Sequence, residues 1–276
     1  MSPERLGPAG TAHHAAAGRV LVRHDARGET GLEVHRWDHP VFEAGVRGTD
    51  GVQLPADAPC EAAAVRLSPG GKWAVSASPR RAVIAHMLHP RGWRALPYEQ
   101  ADFCTDALGA GVKDGQLVYF NTETLTCKPV PGAKPVLRLH AGPHFVAAVH
   151  EDGAFKVWSL QGKLLHEERN VYDLIGVSGD AVQFVRGCWE PRLCTLGMAK
   201  KKVRVHDPAL GAYLDLPLAA SKTHLAVALE KEVRVYELSR DRQVGAWPAT
   251  EADGLVLDAG FLVVRTRRRL FRVKIP

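Results

Sequence analysis

The segment VLRLHAGPHFVAAVHEDGAFKVWSLQGKLLHE, residues 136–167, is the clearest copy of the pattern from which the fold is predicted. Apolar and polar residues alternate in four short runs, at residues 136–139, 145–149, 155–158 and 164–165. A period of two puts successive side chains on opposite faces, which is the pattern of a half-buried strand. Three sequences that favour tight turns separate the runs: GP at 142–143, EDG at 151–153 and QGK at 161–163. The segment therefore predicts a meander of four antiparallel strands.

A single meander of this size cannot bury its apolar faces, so we expect it to stack on copies of itself. The pattern of its third strand recurs seven times, at residues 34–37, 82–86, 117–120, 155–158, 192–196, 233–236 and 271–274. Phe120, Trp158 and Leu196 end three successive copies at a spacing of 38 residues, close to that of propeller blades. The step from the first copy to the second is longer, and we interpret RGTDGVQLPADAP at residues 47–59 as a loop that accounts for it.

Seven four-stranded units in one chain predict an all-β fold, a seven-bladed β-propeller of antiparallel blades. We expect one domain over residues 1–276, because the interior contains no polar linker. The last repeat has only three strands, so residues before Gly18 are predicted to supply its fourth and to close the ring with the C-terminal strands. The expected blades span approximately residues 12–47, 61–97, 101–130, 135–168, 172–207, 212–248 and 253–276.

Several stretches resemble the WD-repeat (WD40) β-propeller family. HEDGAFKVWSLQGKLL at 150–165 is similar to the end of a repeat, with Trp158 at the position of the family tryptophan. LSPGGKWAVSAS at 67–78 resembles the first two strands, and VRVHD and VRVYELS repeat the third-strand signature in degenerate form. The pattern covers nearly the whole chain, but Ser159 follows Trp158 and no Gly-His pair opens the repeats. The resemblance implies the propeller fold; the family's Asp-His-Ser/Thr-Trp tetrad does not carry over.

Composition narrows the class of protein. No apolar run approaches the roughly 18 residues of a membrane helix, and the N-terminus contains Glu4 and Arg5 without an apolar core, so we expect a cytoplasmic protein. The net charge of +6 favours an acidic partner.

An odd number of widely spaced cysteines argues against a disulfide framework and favours free, buried thiols. The five cysteines are Cys60, Cys104, Cys127, Cys188 and Cys194.

No catalytic or metal-binding motif occurs in the sequence. There is no nucleophile elbow, zinc-protease motif, phosphate loop or dinucleotide fingerprint. The closest histidine sets do not converge in the predicted strands; they are His13 with His14, His86 with His89, and His140 with His144. We therefore expect no catalytic residue, no metal, no cofactor and no enzymatic activity. A propeller enzyme or small-molecule binder that uses the central channel stays an open alternative.

One rim of the predicted propeller carries a cluster of arginines. In WD-like blades the turn between the second and third strands lies on this rim, and blades seven, one and two are neighbours around the circle. Their turns contribute six arginines, which we call the arginine sector: Arg267, Arg268, Arg269, Arg27, Arg80 and Arg81. Blades three and four contribute three acids opposite, Asp114, Glu151 and Asp152. Guanidinium groups form forked hydrogen bonds with carboxylates and phosphates, so the sector is a candidate partner-binding site.

Trp189 lies in the corresponding turn of blade five and has two open interpretations, an exposed anchor for a partner or a side chain packed between blades. Trp37, Trp73, Trp158 and Trp247 are predicted to be core residues. A lysine run on the opposite rim, Lys200 to Lys202, favours protection of a strand edge.

The sequence thus predicts a non-catalytic interaction scaffold that binds an acidic protein partner through rim loops within a multiprotein complex. Nucleic-acid binding through the arginine sector is a second alternative, and no membrane partner is expected.

Overall fold

The computed structural model describes residues 4–8, 11–16, 19–26, 29–36, 50–54, 64–78, 81–87, 93–133, 135–258, 260–266 and 269–275. Within these ranges the chain is almost wholly β-strand, and the strands form seven four-stranded antiparallel sheets. No helix in the same ranges is long and apolar enough to span a bilayer.

Strand β1 (Glu4–Pro8) opens the chain, and six sheets of four consecutive strands follow. The first three are β2 (Thr11–Ala16), β3 (Arg19–Ala26), β4 (Glu29–Arg36) and β5 (Asp50–Leu54); β6 (Ala64–Leu67), β7 (Trp73–Ser78), β8 (Arg81–His86) and β9 (Trp93–Leu96); and β10 (Gln100–Phe103), β11 (Leu108–Lys113), β12 (Gln116–Asn121) and β13 (Cys127–Pro129).

The next two sheets are β14 (Val136–Ala141), β15 (Phe145–His150), β16 (Phe155–Ser159) and β17 (Leu164–Glu168); and β18 (Val171–Ser178), β19 (Ala181–Arg186), β20 (Arg192–Gly197) and β21 (Lys202–Val205). A short helix, α1 (Pro208–Gly211), precedes the sheet of β22 (Leu218–Ala220), β23 (His224–Ala228), β24 (Glu232–Glu237) and β25 (Arg242–Pro248). The last sheet has the order β1-β28-β27-β26 and contains β26 (Ala252–Asp258), β27 (Phe261–Thr266) and β28 (Arg269–Lys274).

The core lies between the faces of neighbouring sheets. Strand β15, in the middle of its sheet, is buried at every residue, whereas the outer strand β13 is exposed at every residue. Phe155 of one sheet stacks on Phe184 of the next, with ring centroids 4.8 Å apart. Middle strands are covered on both faces, so their apolar side chains leave water completely, and this burial is the main stabilising contribution.

The first strands of the sheets contact one another in a cyclic order. Strand β2 contacts β6, β6 contacts β10, and the series continues through β14, β18 and β22 to β26. Strand β26 in turn contacts β2. The first strands are therefore the strands through which successive sheets contact one another, and the contact of β26 with β2 joins the last sheet to the first.

Most of the predicted strands are confirmed. Each of the seven runs predicted as a third strand overlaps the third strand of a sheet. Residues before Gly18 supply the outer strand of the last sheet, because β1 pairs with β28. Trp73, Trp158 and Trp247 are buried, as predicted; Trp37 lies outside the described residues.

Two predictions are wrong. Strand β5 lies inside the segment that we interpreted as a loop, because Val52 and Leu54 alternate with polar or small residues and pair with β4. The cysteines are free where described, but only Cys104 and Cys194 are buried; Cys127 and Cys188 are exposed. Cys127 begins the outer strand β13, which is exposed at every residue, and Cys188 lies in the turn between β19 and β20. Cys60 lies outside the described residues.

Candidate functional site

Both ends of each sheet carry turns, and one end gathers the residues of interest. In the sheet β18–β21, Val171 at the start of β18 pairs with Arg186 at the end of β19. Arg186 also pairs with Arg192 at the start of β20. The start of a first strand and the turn between the second and third strands therefore lie together. We call this end of the sheets the upper rim and the opposite end the lower rim.

Trp189 is almost wholly exposed on the upper rim. Its side chain is 98% exposed, so it is not packed between blades. Its role as an anchor for a partner stays a prediction. The turn that carries it is held at both ends. Gly187 N–H donates to the carbonyl of Asn170 at 2.8 Å, and a Cβ on Gly211 of α1 would lie only 2.3 Å from the Pro191 oxygen. The indole is thus presented to solvent by a turn packed against its neighbours.

Tyr172 is a second exposed aromatic residue on the same rim, which the sequence analysis missed. The pairing of β18 with β19 shifts register between Val171 and Asp173, so Tyr172 is the extra residue of a β-bulge. Its side chain is 63% exposed. On the other side, Val171 N–H donates to the carbonyl of Gly153 at 3.2 Å. Tyr172 therefore lies between the Trp189 turn and the turn at residues 151–153.

Leu137 repeats this arrangement one sheet earlier. Strand β14 shifts register between Val136 and Arg138, which makes Leu137 a bulge residue that is 46% exposed. Val136 N–H donates to the carbonyl of Gly115 at 2.9 Å. The glycines that accept these bonds have positive φ, +71° at Gly115 and +73° at Gly153, a conformation that a residue with a Cβ adopts at a cost. Two neighbouring first strands thus expose an apolar residue at the same height.

The turns beside these residues are acidic. Asp114, Glu151 and Asp152 are exposed, and they precede the two glycines that accept the hydrogen bonds. Ala154 N–H donates to Asp152 Oδ1 at 3.0 Å, and this bond lowers the pKa of the Asp152 carboxyl. Asp152 is therefore fully ionised at neutral pH.

The arginine sector falls largely outside the described residues. Arg27, Arg80, Arg267 and Arg268 lie there, and for Arg81 and Arg269 only the backbone is described. Arg81 pairs with Ser78 in the β7–β8 hairpin, and Arg269 pairs with Pro8 of β1. Strands β26, β2 and β6 open the three sheets concerned, and β2 contacts both of the others. The grouping of the six side chains stays a prediction.

A buried carboxylate joins three first strands. Asp102 on β10 is 6% exposed and accepts the backbone N–H groups of Phe103 at 2.8 Å and Ala141 at 3.0 Å. Arg66 Nε on β6 and His140 Nδ1 on β14 lie 3.7 and 4.0 Å from its Oδ2. Burial raises the pKa of Asp102, while Arg66 and the two backbone bonds oppose the rise. Both oxygens have partners, which fits a structural role between sheets.

A second buried network links the fifth and sixth sheets. Thr195 Oγ1 lies 2.8 Å from His206 Nε2, and His206 Nδ1 lies 2.5 Å from Asp241 Oδ1. A neutral imidazole satisfies both contacts when Nδ1–H donates to the carboxylate and Nε2 accepts from the hydroxyl. Burial, the strongest influence, lowers the pKa of His206 despite the nearby carboxylate. The order hydroxyl, imidazole, carboxylate resembles that of a hydrolytic triad. Here, however, the three groups connect Thr195 in the middle of β20 with Asp241 in the β24–β25 turn, so they join two sheets.

A cleft of about 440 Å³ lies between the outer edge of the third sheet and a turn of the fourth. Its walls include Cys127, Lys128 and Gln161.

Among the described residues, no group of three or more His, Cys, Asp or Glu side chains is arranged to hold a metal ion.

Comparison of the sequence with protein-family models and with curated proteins finds no match. Solved structures share the fold. The β-propeller domain of Cps50 (Swd1) from Myceliophteria thermophila aligns with a TM-score of 0.66 at 10% identity, over 99% of this chain and 98% of that one. PorZ, an essential bacterial surface component of the type-IX secretion system of Porphyromonas gingivalis, aligns with a TM-score of 0.61 at 9% identity. That alignment covers 99% of this chain and 38% of PorZ.

At such low identities the likeness is one of fold. The chain is an all-β protein with the architecture of a β-propeller, as its resemblance to WD-repeats implies.

Proposed function

We propose that the seven sheets are the seven blades of one closed propeller, which acts as a non-catalytic scaffold and presents its upper rim to a protein partner in a multiprotein complex. The cyclic contacts of the first strands and the pairing of β1 with β28 support closure. The observation that carries the functional proposal is Trp189, an aromatic side chain that is 98% exposed on a turn fixed at both ends. Exposed aromatic residues of this kind are enriched among interface anchors.

A stiff rim suits recognition of a partner because few groups lose freedom when it binds. The turns around Trp189 are joined to neighbouring strands by backbone hydrogen bonds, so little ordering would be needed. The partner has an acidic surface, because the guanidinium groups of the arginine sector can form forked hydrogen bonds with its carboxylates. A cytoplasmic location stays an expectation from the sequence.

The test begins with affinity purification from the native host, followed by titration calorimetry of the main co-purifying protein. Arg80→Glu combined with Arg268→Glu is expected to weaken binding at least about tenfold, roughly 1.4 kcal/mol. Lys200→Glu with Lys202→Glu, on the lower rim, is the charge-matched control and should change affinity much less. A tightly bound small molecule in place of a protein would favour the channel alternative. Equal affinity of the arginine variant and the wild type would remove the sector from the proposal.

A further inference from the structure

We propose that Tyr172, Trp189 and the turn at Glu151 and Asp152 form a docking surface for a basic peptide segment of a protein partner. An apolar side chain of the segment would rest on the two aromatic residues, and its Arg or Lys groups would face the carboxylates. We call these four residues the aromatic–acidic surface. The inference rests on the proposed function, because both assume a protein partner on the upper rim and both use Trp189. It differs from the acidic-partner proposal in the charge of the partner and in not involving the arginine sector.

Two backbone hydrogen bonds bring the four residues together. Asn170 directly precedes β18, and its carbonyl accepts from Gly187 N–H at the base of the Trp189 turn. One residue later, Val171 N–H donates to Gly153 at the base of the acidic turn. The segment that carries Tyr172 is thus joined to both turns within two residues. The four residues therefore lie at the boundary between the fourth and fifth sheets.

The exposed apolar area is concentrated at this place. Among residues of described exposure, six large hydrophobic side chains are exposed: Leu137, Leu164, Tyr172, Trp189, Val205 and Leu216. Trp189 and Tyr172 have the highest exposed fractions of the six, 98% and 63%. Aromatic rings on one rigid rim gain contact area on binding at a small entropic cost, because each has only two rotatable side-chain bonds.

The negative charge beside the two aromatic residues favours a positively charged segment of a partner. Glu151 and Asp152 are exposed on one flank, and exposed Asp114 continues the acidic character to the neighbouring turn. Several bases nearby are already engaged by carboxylates: Arg138 with Asp173, Arg186 with Glu168, and Arg192 with Glu190. Arg169 at the edge and Lys113 beside Asp114 are exposed positive charges, so the acidic character is strongest at Glu151 and Asp152.

Ring faces also attract cations, and in proteins the cation is more often Arg than Lys. A guanidinium could therefore contact an aromatic face and a carboxylate at once. A nucleic acid would stack its bases on the rings but bring phosphates against Glu151 and Asp152, which repel them. The observations favour the basic peptide.

The first experiment selects ligands from a random peptide library. Phage-displayed dodecapeptides are selected on the full chain and counter-selected on the variant Tyr172→Ala with Trp189→Ala. We expect the wild-type-specific peptides to be rich in Arg or Lys and to share an aliphatic or aromatic position. Enrichment of acidic peptides, or no wild-type-specific enrichment, would overturn the proposal.

The second experiment measures the consensus peptide by fluorescence anisotropy at 50 and 300 mM salt. Trp189→Ala should weaken binding at least about tenfold, and Glu151→Gln with Asp152→Asn several-fold at low salt, with a smaller effect at high salt. The amide of Asn can still accept the bond from Ala154 N–H, so the turn is retained. Leu164→Ala on the lower rim is the matched control and should bind like the wild type. Thermal unfolding of each variant separates a lost contact from a lost fold.

A labelled single-stranded oligo-dT of 20 nucleotides is titrated under the same conditions. Binding of the oligonucleotide that requires Trp189, with none by the peptide, would assign the surface to nucleic acid and overturn the inference. Basic peptides that bind here while the arginine variant keeps full affinity for its partner would support this inference and reject the acidic-partner proposal. The two can therefore fail separately.

Discussion

Asp102 accepts the backbone N–H of Ala141 at 3.0 Å across the boundary between two sheets. The bond satisfies an N–H group at the edge of the first strand β14, which has no neighbouring strand on that side. Gln100 assists two residues earlier, because Leu139 N–H donates to its side-chain oxygen at 3.0 Å. Side chains of one sheet thus accept the N–H groups that a further strand would otherwise pair with at the inner edge of the next sheet.

Asp102→Ala is therefore expected to lower the free energy of unfolding by about 2–4 kcal/mol, because it leaves a buried N–H without an acceptor and removes the carboxylate facing Arg66. Urea denaturation measures the change. Asp173→Ala on the neighbouring first strand is the control: its ion pair with Arg138 is half exposed, so the loss should stay below about 1 kcal/mol. Equal midpoints for the two variants would contradict a special role for Asp102.

Stability should also fall in mild acid. Burial is the leading cause that lowers the pKa values of His150, His206 and His224 in the folded state. An unfolded histidine has a pKa of about 6.5, so below that pH the unfolded chain binds more protons than the native one. The stabilisation is then present above about pH 6.5 and lost as the pH falls. Urea midpoints at pH 7.5 and 5.5 should differ in this direction.

His206→Gln tests the largest network among these histidines. The amide can bridge Thr195 and Asp241 without titrating, so the loss of stability between pH 7.5 and 5.5 should become smaller. His144→Gln, at an exposed histidine in the β14–β15 turn, is the control variant. If His206→Gln keeps the slope of the wild type, protonation of His206 is not part of the acid sensitivity.

Arginines on two outer strands join neighbouring sheets in the same way. Arg204 on β21 donates to the carbonyl of Ser239 at 2.7 Å and to Asp241 at 3.1 Å, and Arg94 on β9 donates to the Thr122 carbonyl at 2.6 Å. Lysine keeps the positive charge, but its ammonium group cannot donate two parallel hydrogen bonds as a guanidinium group can. Arg204→Lys should cost about 1 kcal/mol of unfolding free energy, measured by urea denaturation. Arg240→Lys, at an exposed arginine of the contacted turn, should be neutral. An equal loss in the two variants would show that the forked contact of Arg204 makes no special contribution.

The sequence carried the repeat but not the contacts between repeats. Alternating residues predicted the third strands and the burial of Trp73 and Trp158, because strand period and burial are local properties. Asp102 and Ala141 are 39 residues apart, and no periodic signal relates them. The exposure of Tyr172 depends on a bulge, which shifts the face of a residue without any mark in the apolar pattern. Its position beside the predicted Trp189 turn was the available clue.

The last prediction concerns the strand that joins the two ends of the chain. Strand β1 pairs with β28 from Glu4 opposite Arg272 to Pro8 opposite Arg269. Deleting residues 1–9 would leave the edge of β28 unpaired and uncover the sheet that buries Phe271 and Val273. The melting temperature should fall by several degrees in differential scanning calorimetry. A synthetic peptide of residues 1–9, added in excess, should recover part of the loss by mass action, whereas a scrambled peptide should not. An unchanged melting curve for the truncated chain would mean that β28 is stabilised without β1, and closure of the ring through this strand would have to be abandoned.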